Sequence, residues 1–183
     1  MSHFLVGDQV YSVLNKGWDI VTPIPSCTLM YKQELPLLFP DDPDVLKVRD
    51  AMFDPFEYLM LRHKYGKLDT NFRNPLGKVA YQVPCHLRVQ NIGLKTRDLL
   101  QLVPDTTVEA IERCSGHDGT YAVKKEYHDI SKKIARPVVN RVKKAETDHF
   151  ISDCPMAADQ IADGLEDRKG EHPMGLLKHA YGI

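Results

Sequence analysis

The 183-residue chain lacks the features that mark a membrane, secreted or nucleic-acid-binding protein. It contains no run of eighteen apolar residues, and its start, MSHFLVGDQV, lacks the basic segment and apolar stretch of a signal peptide. Neither sign of charge is in excess, because 24 Lys and Arg residues stand against 25 Asp and Glu residues. A net charge of −1 gives no bulk attraction to nucleic acid or to an anionic membrane. We therefore expect a cytoplasmic protein that binds no nucleic acid and meets a membrane only through partners, peripherally at its inner face.

Cysteine is also scarce, with four residues, but their placement is informative. In the cytoplasm thiols stay reduced, which leaves metal binding, catalysis or packing as their roles. Each cysteine follows a short run with the pattern of a buried strand. The runs are residues 18–22, 78–82, 107–111 and 149–152, and the cysteines that follow them are Cys27, Cys85, Cys114 and Cys154.

Helical patterns alternate with these strands, which favours an α/β fold with a mainly parallel sheet and flanking helices. The chain is 43% hydrophobic and 27% charged, so it can bury a core. Helices are predicted over 29–38, 87–103, 131–145 and 155–165, with Pro137 kinking the third or delaying its start. Because the carboxyl ends of parallel strands share one edge, where ligands bind, the four thiols could converge there. The positive end of a helix dipole also favours the thiolate form that binds metal.

Three stretches, QVPCHLRVQNIG, CSGHDGTYAVKKE and SDCPMAADQI, resemble in order the signature blocks of the cysteine-rich CCG domain. This domain occurs in two families, that of the heterodisulfide reductase B subunit and that of the anaerobic glycerol-3-phosphate dehydrogenase C subunit. The resemblance implies that residues 78–183 are the second of two CCG-like domains and that residues 1–38 are the tail of a truncated first copy. Residues 39–77 would be a connecting helical segment. The rest of the first copy would then lie in a missing N-terminal half, which a separate polypeptide could supply.

The resemblance also implies an iron–sulfur site. Cys85, Cys114 and Cys154 would hold the cluster of the second copy, of the 4Fe-4S type, and Cys27 would be the surviving ligand of the first. Two family cysteines are replaced, by Ser115 and by Ala157, so three of five expected thiolates remain. Clusters are normally held by four thiolates. A further donor could come from a partner or from this chain, where the candidates are Ser115, His86, His117 and Asp118.

The implied function is an electron-transfer subunit, or a fragment of one, in an anaerobic dehydrogenase or heterodisulfide-reductase-like complex. It would relay electrons between a flavin- or ferredoxin-bearing partner and a quinone or thiol acceptor, and whether the chain is an oxidoreductase depends on the cluster. In this interpretation the SGHDG sequence is a remodelled cluster loop whose glycines, Gly116 and Gly119, let the backbone approach an inorganic core.

Two alternatives stay open. The three cysteines of the second copy and one of His86 or His117 would make an ordinary Cys₃His zinc site. A degenerate domain that has lost its cluster could instead act as a structural or zinc-bound interaction module, and Ser115 and Ala157 favour this alternative. For His86 alone, a hydrogen-bonding or capping role is favoured over ligation, because histidine ligands are the exception in iron–sulfur proteins.

Overall fold

The computed structural model describes residues 16–117, 121–165 and 168–183. Its strands are β1 (Ile20–Val21), β2 (Met52–Phe53), β3 (Gly77–Gln82), β4 (Thr106–Ile111) and β5 (His149–Ser152). Its α-helices are α1 (Pro25–Leu29), α2 (Leu35–Leu38), α3 (Pro43–Ala51), α4 (Pro55–Lys64), α5 (Cys85–Val89), α6 (Lys95–Leu100), α7 (His128–Lys144), α8 (Pro155–Ala162) and α9 (Pro173–Tyr181). A π-helical turn, Met30–Glu34, joins α1 to α2, and a 3₁₀ turn, Lys125–Tyr127, precedes α7.

The strands form two parallel sheets. In the larger one β3 lies between β4 and β5 and is parallel to both. The predicted α/β class, with parallel strands and flanking helices, is confirmed. The first predicted strand is present as β1, but it pairs with β2, a two-residue strand too short for its periodicity to show in the sequence. The expectation of one edge shared by all four strands is therefore wrong for Cys27, whose strand belongs to the smaller sheet.

Both faces of the larger sheet are covered, as parallel sheets require. Side chains alternate between faces along a strand, so Val79 and Tyr81 pack into one core and Ala80 into another. The first core includes Phe56 of α4 and residues of α6 and α9, and the second includes Phe150 and residues of α7 and α8. Since the faces are covered, the carboxyl ends of the strands are the natural place for a ligand.

The four predicted helices differ from the structure in their bounds. The helix predicted over 29–38 begins at Pro25 and contains a π-helical turn, and the helix predicted over 155–165 ends at Ala162. The helix predicted over 87–103 is divided into α5 and α6, because Asn91 and Gly93 adopt φ angles of 54° and 80° in the left-handed region, which no α-helix tolerates. The helix predicted over 131–145 begins earlier, at His128, and continues through Pro137. Pro137 and Lys133, whose carbonyl loses its helical partner, are both exposed, so water can satisfy that carbonyl.

Residues 39–77 contain α3, β2 and α4. At the start of α4 the Asp54 carboxylate accepts the N–H groups of Phe56 and Glu57 at 2.9 and 3.3 Å, and the Glu57 side chain accepts the Asp54 N–H in return. This capping box, with Pro55 in the first turn, accounts for the start of α4. The assignment of residues 39–77 as a connection between two repeats stays a prediction. In the described ranges, no helix combines the length and apolarity needed to cross a membrane.

Candidate functional site

Gln82, the last residue of β3, connects the ends of β3, β4 and β5, the strands that precede Cys85, Cys114 and Cys154. Its amide nitrogen donates to the carbonyl oxygens of Val83 and Arg113, both at 3.0 Å, and its amide oxygen accepts from the Ser152 hydroxyl at 2.8 Å. Arg113 directly precedes Cys114. Gln82 is fully buried, where an unpaired amide would be costly. One side chain therefore ties together the chain segments that follow β3, β4 and β5.

The Ser152 hydroxyl extends this network to Cys154. It accepts the backbone N–H of Cys154 at 3.3 Å. Cys154 is the N-cap residue of α8 and is partly buried, and Pro155 is the first residue of that helix. Two hydrogen bonds in series thus connect the backbone of Cys154 to the central strand. Cys85, by contrast, is the first residue of α5, and its side chain is exposed.

The loop that carries Cys114 is held against α7. The Ser131 hydroxyl donates to the Gly116 carbonyl at 2.7 Å and accepts from the Gln160 amide at 2.8 Å, so the loop, α7 and α8 share one network. Gly116 has a φ of 78°, and a Cβ at this position would collide with the Ser131 carbonyl. From the sequence, Gly116 was expected to let the backbone come close to an inorganic core. In the structure, the group that lies close to Gly116 is the backbone of α7. Gly119 lies outside the described residues.

Two of the thiols accept hydrogen bonds. The N–H of Gly116 donates to the Cys114 sulfur at 3.4 Å, and the Arg88 guanidinium donates to the Cys85 sulfur at the same distance. Donors of this kind stabilise negative charge on sulfur and tune bound metal centres. Both donors lie within three residues of their cysteine, so the local sequence supplies them.

The two replaced cysteine positions are occupied by buried small residues. Ser115 is 7% exposed and Ala157 is 4% exposed. The Ser115 hydroxyl accepts the N–H of His117 at 3.4 Å. Ala157 carries no donor atom. Of the two replacements, only Ser115 therefore keeps an atom that could bind a metal, and that atom is already hydrogen-bonded.

The candidate histidines have different environments. His86 is the second residue of α5 and is exposed. His117 is partly buried, and its Nε2 atom is buried without a hydrogen-bond partner among the described residues. An unpartnered ring nitrogen close to Cys114 is a potential donor to a bound group. Asp118, the other candidate in this loop, lies outside the described residues.

No three His, Cys, Asp or Glu side chains gather into a set able to hold a metal ion in the part of the chain that the structure describes. A zinc site needs four ligands around one ion. A four-iron cluster takes one thiolate for each iron, so its ligands are spaced around a larger core. The four cysteines are all free thiols. Cys85, Cys114 and Cys154 follow three adjacent strands, and their thiols have the donor chemistry of cluster ligands.

The carboxyl group of Asp153 is buried next to the end of β5. Asp153, which precedes Cys154, is 2% exposed, and it accepts from the Tyr81 hydroxyl at 2.5 Å and from the Thr96 hydroxyl at 2.8 Å. Burial raises the pKa of Asp153 to about 6 although both hydroxyl donors lower it. Burial and the negative charge of Asp153 raise the pKa of Tyr81 well above its usual value. Tyr81 is therefore the proton donor in this pair at neutral pH.

Asp54 is the second buried carboxyl of this region and is 1% exposed. Burial, and then the negative charge of Asp153, raise its pKa to about 7, against the opposing effect of the two N–H groups that it caps. The capping carboxylate of α4 is thus coupled electrostatically to the residue next to Cys154. On acidification Asp54, with the higher pKa, takes up a proton before Asp153 does.

The fold and the site together define a class: an α/β domain in which the carboxyl ends of three parallel strands each lead to a cysteine. The family model of the CCG cysteine-rich domain matches residues 79–159. The resemblance predicted from the sequence is confirmed for this segment, which contains Cys85, Cys114 and Cys154.

Curated relatives agree with this assignment. The chain is 29% identical to the C subunit of the anaerobic glycerol-3-phosphate dehydrogenase of Escherichia coli K12 over 170 residues, which is 90% of this chain and 41% of the relative. It is 26% identical to the B subunit of the fumarate reductase (CoM/CoB) of Methanothermobacter marburgensis over 176 residues, 91% of this chain and 33% of the relative. An uncharacterized iron–sulfur protein of Methanococcus maripaludis is 30% identical over 104 residues, 55% of this chain and 20% of the relative. The chain thus spans less than half the length of these proteins.

Roles for Gln82, Ser152, Ser131 and Asp153 were not predicted from the sequence. One signal was present: a glutamine ends the otherwise apolar strand KVAYQ, and a buried amide needs partners. Two of its three partners, Arg113 and Ser152, are separated from Gln82 by 31 and 70 positions. No local pattern could identify them.

Proposed function

We propose that the chain is an iron–sulfur electron-transfer subunit, or part of one, whose cluster is held by Cys85, Cys114 and Cys154. The observation that carries the proposal is the Gln82 network, which ties together the three segments leading to these cysteines. The CCG match over residues 79–159 and the iron–sulfur relative support it. When bound, a cluster of the 4Fe-4S type would supply one-electron transfer.

The residues around the thiols have defined tasks in this proposal. The Gly116 N–H and the Arg88 guanidinium donate to sulfur and stabilise thiolate charge, which raises the reduction potential of a bound centre. The buried core behind the edge excludes water from one side. No general acid or base is required, since the chemistry is electron transfer.

The partners of this chain are proposed from the names of its relatives. Two relatives are named as subunits of a dehydrogenase and of a reductase. We infer that this chain also works within a complex, with a flavin- or ferredoxin-bearing protein as one partner and a first CCG repeat in the part that the relatives possess and this chain does not span. A location in the cytoplasm, or at the inner face of the membrane through partners, is part of the same proposal.

The test is the metal and sulfide content of anaerobically purified and reconstituted protein. We expect iron and acid-labile sulfide in equal amounts and a broad visible absorbance that dithionite bleaches. Cys85→Ser and Cys114→Ser should lose most of both, whereas His86→Ala, at the exposed residue beside Cys85, should retain them. Protein that folds but takes up neither iron nor sulfide would refute the proposal.

The second candidate is a domain that keeps the fold without the cluster. The observation that favours it is the burial of Ser115 and Ala157, at 7% and 4% exposure, where the family has cysteines. In this case the protein would be a structural or zinc-bound interaction module. One zinc per chain without sulfide, or no metal at all, in the same measurement would favour this candidate.

A further inference from the structure

The short helix that carries Cys27 packs against the helix that begins with Cys85. Contacts join α1 to α5, although β1 and β3 belong to different sheets. The Gln90 side chain, at the end of α5, donates to the Pro25 carbonyl at 3.0 Å and to the His86 carbonyl at 3.1 Å. Both partners are acceptors, so the amide nitrogen of Gln90 must face them. At 6% exposure, this side chain is a buried clamp between α1 and α5.

A second clamp holds the chain just before α1. The Nε2 atom of His172 lies 3.1 Å from the Pro23 carbonyl oxygen, and its Nδ1 atom accepts the N–H of Met174 at 3.2 Å. A carbonyl can only accept, so Nε2 carries the proton and the two bonds are compatible with one neutral ring. His172 directly follows Glu171, whose carbonyl accepts the Ser152 N–H at 3.1 Å. Pro23 is thereby held beside the end of β5.

The segment from Pro23 to Cys27 therefore runs from the end of β5 to α5. These are the two elements that lead to Cys154 and to Cys85. Cys27 and Cys85 are both exposed thiols. The contacts of the Cys27 segment thus connect it to the second set of cysteines, whereas the sequence analysis assigns Cys27 to the first repeat.

The second set needs one more donor. Clusters are normally bound by four thiolates, and three remain there after the replacements at Ser115 and Ala157. The Ser115 hydroxyl is buried and already accepts the His117 N–H. His117 is a nitrogen donor on the β4 side, and a nitrogen ligand is less usual for a cluster than sulfur. Cys27 is the remaining thiol.

We propose that Cys27 supplies the fourth thiolate of the second repeat, so that one cluster is bound by Cys27, Cys85, Cys114 and Cys154. This inference rests on the proposed function. Each thiol loses a proton on binding, so four protons leave with the assembly of the site. The clamps at Pro23 and Pro25 keep the Cys27 segment beside the other ligands.

The test compares reconstituted wild type with Cys27→Ser under anaerobic conditions. Wild type should contain about four irons and four sulfides per chain, as a 4Fe-4S cluster requires. Cys27→Ser should lose at least one iron, and its oxidised form should give the electron paramagnetic resonance signal of a three-iron cluster. The matched control is Ser26→Ala, at the exposed neighbour on the same short helix, which should behave as wild type. Circular dichroism should show that all three chains fold.

Two further variants sharpen the result. Gln90→Leu removes one clamp without removing a thiol, and we expect its cluster to lose iron several-fold faster to a chelator. His117→Ala should keep the wild-type iron content. Wild-type iron, sulfide and spectra in Cys27→Ser, or iron loss in His117→Ala alone, would overturn the inference while leaving the proposed function intact. Wild-type protein without iron and sulfide would refute the proposed function and this inference together.

Discussion

The cysteines of this protein lie in two differently built surroundings. Cys85, Cys114 and Cys154 follow strands of a three-stranded sheet whose ends are joined by Gln82, an amide with three hydrogen bonds. Cys27 follows β1, which pairs with β2 over two residues, Ile20 with Met52 and Val21 with Phe53.

The difference shows how each region is held in place. A two-stranded sheet of this length is not stable alone in water. It has a small core of its own, formed by Val45, Val48 and Met52, and the Gln90 side chain connects α1 to α5 of the larger unit. The larger sheet instead carries its own buried network. We therefore expect substitutions in that network to cost more than those around Cys27.

The largest effect is expected for Gln82→Leu. The change removes a partner of the buried Ser152 hydroxyl and of the Val83 carbonyl, and an unpaired buried group costs about 1 to 3 kcal/mol, whereas Arg113 is exposed and its carbonyl can turn to water. We expect a loss of about 2 to 4 kcal/mol in the free energy of unfolding, measured by urea denaturation. Gln101→Leu, at an exposed glutamine, is the control and should be within about 0.5 kcal/mol of wild type. Equal effects of the two changes would contradict the role given to Gln82.

Gly116→Ala tests the loop on the other side of the same edge. A residue with a Cβ pays about 1 to 2 kcal/mol for the left-handed φ of 78°, and its Cβ also meets the Ser131 carbonyl. The expected loss of stability is about 2 to 3 kcal/mol. Gly175→Ala is the matched control, since its Cβ would meet nothing within 4 Å in a helix, and it should be neutral or stabilising by up to about 1 kcal/mol. The reverse order in thermal melts would contradict the assigned packing.

The buried carboxyl groups of Asp54 and Asp153 should make the free energy of unfolding depend on pH. Because the pKa of Asp54 rises from 3.8 to about 7 on folding, the folded state binds more protons in this interval, and stability falls as pH rises through it. The loss between pH 5 and 7 should be on the order of 2 kcal/mol.

The variant that tests this is Asp54→Asn, which keeps a capping oxygen but cannot ionise. It should flatten the pH dependence of the unfolding free energy. Asp42→Asn, at the N-cap of α3, makes the same change where the carboxylate also accepts two N–H groups, and it should leave the dependence in place. A stability that rises between pH 5 and 7 in the wild type would contradict the sign.

The smallest effect is expected in the Cys27 region. Thr28 is fully buried, and its hydroxyl lies 2.6 Å from that of Thr22. Thr28→Val removes this bond at nearly constant volume and should cost about 1 kcal/mol. Thr107→Val, on the exposed face of β4, is the control and should be neutral or slightly stabilising. A loss of stability as large as that of Gln82→Leu would contradict the expectation that substitutions around Cys27 cost less than those in the Gln82 network.

Much of the fold could be predicted because it depends on local patterns. Apolar runs marked the three strands of the larger sheet within one residue, and the helix predicted from residue 155 begins there as α8. The cysteine blocks pointed to the CCG domain, and residues 79–159 match it. The ligand roles of the cysteines stay predictions, since the sequence shows only that thiols follow strands.

The predictions were wrong where the fold depends on residues that are far apart in the sequence or on the backbone conformation of a single residue. The break between α5 and α6 depends on Asn91 and Gly93, whose left-handed φ angles interrupt an otherwise helical pattern. Strand β1 pairs with β2, and the paired residues Ile20 and Met52 are thirty-two positions apart in the sequence. A strand of two residues is also too short to show a hydrophobic period.

The sequence by itself determined the three strands of the larger sheet, the start of α8 at Pro155 and the chemistry that the side chains can offer, because these depend on neighbours within a few positions. Only the tertiary structure decided that Gln82 joins three strand ends, that Asp54 lies near Asp153, and that α1 packs beside α5. Buried polar groups must find partners wherever the packed chain brings them. Asp153 finds Tyr81 across 72 positions, and such pairs exist only once the core that surrounds them has formed.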